Sequence, residues 1–172
     1  MDGNFLGDSY DLVKRFFAEN LSSIAPIYAD KRFIPDEIHE AYFQITRIPM
    51  FHESVEHPFA IILDPCTGIK LKCSSKASPT KAHVPLPYIR EVFEKYRPDF
   101  LISFDQSFSR NGKKEPLMYE KINVLKSNGI SAFYFSSHAN FLFASESMNT
   151  IRLIWQRLLK LGVPNGRLVS KP

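Results

Sequence analysis

Two aspartates and a histidine carry the reactive potential of this 172-residue chain. Asp105 closes the apolar run Phe100–Phe104 within "DFLISFDQSFSR", and Asp8 follows a short strand-like run at residues 4–6 within "NFLGDSYD". Carboxylates at strand ends suit Mg²⁺ or Mn²⁺, hard ions that take oxygen ligands, so Asp8 and Asp105 are candidate metal ligands and catalytic acids. His138, in "ISAFYFSSHANFLFAS", is the candidate general base, because an imidazole exchanges protons near neutral pH. Ser9 and Ser137 adjoin these groups, while Lys76, Lys81, His83, Arg110 and Lys113 add positive charge. These residues are the candidate substrate-binding set.

The cations are grouped. Lys70, Lys72, Lys76 and Lys81 precede His83 with no acid among them, and Arg110, Lys113 and Lys114 are closed by Glu115. A net charge of +4 is mild, but its concentration in two loops predicts a polyanionic partner, nucleic acid foremost. No glycine-rich phosphate loop or dinucleotide fingerprint is present, so no nucleotide cofactor is expected. Cys66 and Cys73 with His83 do not match a zinc-site spacing, and two free thiols suit a cytoplasmic protein. The apolar runs are too short to span a bilayer, and "MDGNFLGDSYD" lacks the apolar stretch of a secretion signal. A cytoplasmic chain without a membrane partner is expected.

The elements that must position these groups follow from periodicity. Hydrophobic residues make up 44% of the chain, including 15 Phe and 7 Tyr, enough for a single α/β domain over residues 1–172. "SYDLVKRFFAENL" predicts a helix with Leu12, Val13, Phe16, Phe17 and Leu21 on one face. A second begins at Ile34-Pro35 and buries Ile38, Tyr42 and Ile45. "FAIILDPCTGIKLKC" reads as a β-hairpin turning at Asp64-Pro65-Cys66-Thr67-Gly68, followed by an exposed Lys/Ser/Pro-rich loop at 72–87. Helices over 86–97, 115–127 and 148–161 surround a strand at 100–104 and a second hairpin that turns at 137–140. The expected architecture is a mixed, mostly parallel sheet with two hairpins and helices on its faces; a ferredoxin-like α+β fold is the alternative.

Crossover geometry then gathers the candidates. Right-handed β-α-β connections place Asp105, the lysine-rich loop, Ser137 and His138 at the carboxyl edge of the strands, where ligands of open α/β sheets bind. A first strand at 4–6 would bring Asp8 and Ser9 there as well, whereas a hairpin-turn Asp64 would face the opposite edge.

"FLGDSYDLVKR" and "ISFDQSFSR" resemble the acidic strand ends of PIN-like and 5′-nuclease domains, in which such acids bind metal. The resemblance implies a metal-dependent phosphoester hydrolase, although only Glu146 stands where those domains supply later acids. "GDSY" is similar to the nucleophile motif of GDSL esterases, which implies Ser9 with His138; Phe135 occupies the position of that family's aspartate. The third reading is a non-catalytic module that binds nucleic acid or a protein partner through the basic edge, with Phe108 available for stacking on a base.

Overall fold

A computed structural model of the protein describes residues 6–71, 78–108 and 113–170. A six-stranded sheet runs β1 (Ile27–Ala29), β2 (Ala60–Leu63), β5 (Phe100–Phe104), β7 (Phe141–Ser145), β6 (Ser131–Phe135), β8 (Leu168–Val169) across its width. The strands β1, β2 and β5 are parallel, whereas β7 is antiparallel to both β5 and β6, and β8 is antiparallel to β6. The class is therefore α/β with a mixed sheet flanked by helices. Two short strands, β3 (Gly68–Lys70) and β4 (His83–Pro85), pair in parallel outside it.

The three parallel strands are buried along their whole length or nearly so, as the continuous apolar runs "AIIL" and "FLISF" require of strands covered on both faces. Alternation sorts their side chains. Ile27, Ala60, Ile62, Phe100, Ile102 and Phe104 pack with Phe17 and Leu21 of α1 (Ser9–Leu21), Tyr42 of α2 (His39–Thr46), and Ile154 and Leu158 of α5 (Met148–Lys160). Ile61, Leu63 and Leu101 point the other way, toward Ile89 and Val92 of α3 (Leu86–Tyr96) and Met118, Ile122 and Leu125 of α4 (Lys114–Ser127). Of the residues assigned to helix faces from periodicity, Leu12 is 60% exposed and Ile45 only half-buried.

Two sequence expectations need correction. The stretch 59–73 is not a hairpin, because both edges of β2 are already occupied by β1 and β5. After Leu63 the chain leaves the sheet, and β3 takes β4 as its partner with Gly68 opposite His83. Within 72–87, His83–Pro85 is a strand and Leu86 opens α3, with Val84, Pro85 and Leu86 all buried. Strand β1 escaped the periodicity analysis because its three residues are too few to show an alternation. The expected strand at 4–6 falls mostly outside the described residues; Leu6 belongs to a turn. Among the described residues no helix is long and apolar enough to cross a membrane.

Candidate functional site

Each of the three parallel strands ends in an aspartate: Asp30 after β1, Asp64 after β2 and Asp105 after β5. Because β2 and β5 are parallel with Leu63 opposite Ser103, Asp64 stands on the same edge as Asp105. The expectation of a hairpin-turn Asp64 on the far edge is thus overturned together with the hairpin. Alternation then separates the two carboxylates. Asp64 continues the row of Ala60 and Ile62 and turns toward α1, while Asp105 continues the row of Leu101 and turns toward α4.

A buried lysine meets each. Lys14 of α1 donates to Asp64 Oδ2 at 2.6 Å and to Asp11 Oδ1 at 2.8 Å. Lys121 of α4 donates to Asp105 Oδ2 at 2.6 Å, with side-chain exposures of 1% and 0% for the pair. Burial works against the Lys14 charge, but Asp64 and Asp11 outweigh it and hold the ammonium above the ordinary lysine range. For Lys121 burial wins over the attraction of Asp105, and its proton is held less firmly than in an ordinary lysine. Burial, only partly offset by Lys14, raises the Asp11 carboxyl above its usual range.

Asp105 is saturated with donors. Oδ1 accepts from the Ile69 amide (3.0 Å), the Ser107 amide (3.2 Å) and the Ser107 hydroxyl (2.7 Å). Oδ2 accepts from Lys121 and from the Tyr134 hydroxyl at 2.8 Å. Burial and the Asp105 charge lift the Tyr134 phenol well above its ordinary value. The Ile69 amide can approach because residue 68 is glycine: a Cβ there would lie 2.4 Å from Asp105 Oδ1 and 2.8 Å from the Gln106 nitrogen. Asp30 is held in the same manner, by Arg32 (2.7 Å to Oδ2) and the Tyr88 hydroxyl (3.0 Å).

Backbone hydrogen bonds sew the loops of this edge together. The Cys66 amide donates to the Lys81 carbonyl at 2.9 Å, and the Gln106 amide donates to the Thr67 carbonyl at 2.8 Å. The Asp105 amide donates to the Asn140 carbonyl at 2.9 Å, and the Gln106 side-chain amide donates to the His138 carbonyl. Strand-end loops that are remote in sequence thereby form one surface. Lys121 is the eighth residue of α4 and Lys14 the sixth of α1. At 1.5 Å per residue the helix starts rise up to about 10 Å and about 7 Å above their ion pairs. Both lysine–aspartate pairs are therefore sealed beneath the N-terminal turns of their helices at this edge, with side-chain exposures of 4% or less.

The candidates from sequence distribute unevenly over this edge. Asp105 is buried beneath it and the Ser137–His138 turn lies at its surface, with His138 exposed and its ring stacked on Tyr10 at 5.5 Å. Asp8 is the N-cap of α1, its Oδ1 accepting from the Tyr10 and Asp11 amides at 2.8 and 3.2 Å. Ser9 is exposed in the first turn. Lys81 and Lys113 are exposed and His83 half-buried, while Lys76 and Arg110 lie outside the described residues. A divalent ion on Asp105 would have to displace an ammonium and a phenol, and among the described residues no group of three or more His, Cys, Asp or Glu side chains is placed to hold one. Cys66 is an exposed free thiol.

Sequence reasoning missed Asp11, Lys14, Asp64, Ser107, Lys121 and Tyr134. The available signal was a charged residue on a buried stripe. Lys14 is spaced 3 and 7 from Phe17 and Leu21, and Lys121 is spaced 3 and 4 from Met118 and Leu125. A lysine in such a position demands a buried carboxylate. Comparison with known proteins finds no matching family model, no matching curated protein and no matching solved structure.

Proposed function

We propose that the carboxyl edge of the sheet binds a polyanionic ligand, nucleic acid or another phosphate-rich chain. One observation carries this reading: the strand-end aspartates are neutralised internally, whereas Lys81, Lys113 and His138 are exposed around them. Negative charge that would repel a phosphate chain is buried and paired, and positive charge stands on the rim. Exposed lysines of this kind attract a polyanion mainly by releasing its counterions, so salt dependence is the signature.

The test is fluorescence anisotropy with labelled single- and double-stranded DNA and RNA over a series of salt concentrations. Affinity is expected to fall with salt, and Lys81→Glu combined with Lys113→Glu to reduce the slope by about two. Absence of binding at low salt, or binding indifferent to both substitutions, overturns the reading. The same labelled strands incubated with Mn²⁺ examine the metal-dependent phosphoester hydrolase. Turnover that requires Mn²⁺ and disappears in a folded Asp105→Asn variant would replace simple binding with catalysis.

A further inference from the structure

One cluster at the carboxyl edge has a geometry that binding alone does not call for. Ser107 Oγ lies 2.8 Å from Lys121 Nζ, and Lys121 Nζ is fixed in turn by Asp105 Oδ2 at 2.6 Å. A hydroxyl, a base within hydrogen-bond reach and a third group that orients the base make up the arrangement of an activated nucleophile, and serine–lysine pairs are one of its known chemical forms. An ion pair needs only Asp105 and Lys121; the serine is an additional partner, and it is half-buried rather than sealed in the core.

We propose that Ser107 is a nucleophile for acyl transfer from a carboxylic ester, with Lys121 as its general base and Asp105 as a positioning residue. Ser107 Oγ forms a bond to the ester carbonyl carbon, and the hydroxyl proton passes to Lys121 Nζ. The bond to the leaving oxygen breaks, and that oxygen takes the proton and departs as an alcohol. Water then attacks the acyl-serine, giving its proton to Lys121 and releasing a carboxylic acid as Ser107 recovers its own. The base must be the neutral amine. Burial makes Lys121 hold its proton less firmly than an ordinary lysine, and the ammonium paired with Asp105 gives that proton up before it accepts the one from Ser107. In the resting arrangement the Ser107 hydroxyl is aimed at Asp105 Oδ1 (2.7 Å) or the Ile69 carbonyl (2.8 Å), and it leaves these acceptors as the proton moves to Lys121.

The proposal is independent of the polyanion reading and is tested with an uncharged probe. The intact protein is incubated with a neutral alkyl fluorophosphonate, which forms an Oγ–P bond and expels fluoride, and the adduct is located by peptide mass spectrometry. One adduct on Ser107 is expected, absent from Ser107→Ala and from the urea-unfolded wild type. Lys121→Arg keeps the ion pair but cannot accept a proton, and it should slow labelling about 100-fold or more. No adduct on Ser107 of the native wild type, or labelling as fast in a folded Lys121→Arg, overturns the proposal. Should Lys121→Arg not fold, the contrast between native and unfolded wild type decides.

Discussion

Removing both halves of the Asp105–Lys121 pair should damage the fold no more than removing either one. Lys121→Met leaves a carboxylate in a fully buried place, and Asp105→Asn leaves an ammonium there; their side chains are 0% and 1% exposed. Breaking a buried pair in this manner costs about 3–5 kcal/mol, because the remaining charge is neither solvated nor balanced. By contrast the exposed Arg15–Glu19 pair, with exposures of 40% and 50%, should be worth under about 1 kcal/mol. In the double variant the amide oxygen introduced by Asp105→Asn can still accept from the Ile69 and Ser107 amides, and its NH₂ can face the Tyr134 oxygen. No charge is left unpaired, so the double variant should cost no more than either single one. Urea unfolding of the four proteins provides the cycle. At about 2–4 °C per kcal/mol for a chain of this size, each single variant should also lower Tm by about 6–20 °C. Single costs below about 1 kcal/mol, or costs that add in the double variant, would show that the pair does not hold the edge together.

Two further outcomes follow from the same packing. Gly68→Ala puts a methyl against backbone atoms of Asp105 and Gln106 at a φ of +135°, whereas Gly129→Ala, at +78°, meets nothing within 4 Å. The first should lower stability in urea by about 2–5 kcal/mol, from strain and overpacking together, and the second by about 1–2 kcal/mol from strain alone; equal costs would refute the close approach. Stability should also decline from about pH 10 upward, where phenols ordinarily ionise. Tyr134 and Tyr42 are raised well above that value by burial and by Asp105 or Asp64, so the folded state keeps protons that the unfolded chain releases. The stabilisation is complete below the unfolded phenol value and is lost as pH rises. Lys121 is lowered by burial and works in the opposite direction below about pH 10.4, the ordinary lysine value. Tyr134→Phe should reduce the alkaline slope by up to about 1.4 kcal/mol per pH unit, read from urea midpoints between about pH 9 and 11.

Strand 100–104, helix 86–97 and the C-terminal helix are legible because their apolar residues recur often enough to fix a period. The turn at 137–140 is equally legible from the small polar residues between two aromatic runs, and with it the meeting of His138 and Asp105 at one edge. What could not be read is pairing. "IILDPCTGIK" has the local grammar of a hairpin, with proline early and glycine late, and only the occupancy of both edges of β2 prevents one. That single misreading reversed β3 and removed Asp64 from the edge to which it belongs. Asp8 illustrates the other limit: an aspartate before a helix and an aspartate in a site look alike until the two capping bonds are seen.

Alternation along the parallel strands explains why this edge has two separate ion pairs and no single carboxylate pair. Asp64 sits one residue beyond Leu63 and Asp105 two beyond its partner Ser103, so adjacent strands deliver their acids to opposite faces. A metal ion bridging Asp64 and Asp105 would need them on the same face. Each helix layer instead contributes one lysine, Lys14 from α1 and Lys121 from α4, and each lysine is anchored from below. The two anchors differ in a way that bears on function. Lys14 is held between two carboxylates and kept firmly protonated, so its charge is fully used inside the fold. Lys121 has one carboxylate and one hydroxyl, and burial loosens its proton, which suits proton transfer with Ser107. The two faces of the edge thus differ in how firmly their buried lysines hold a proton.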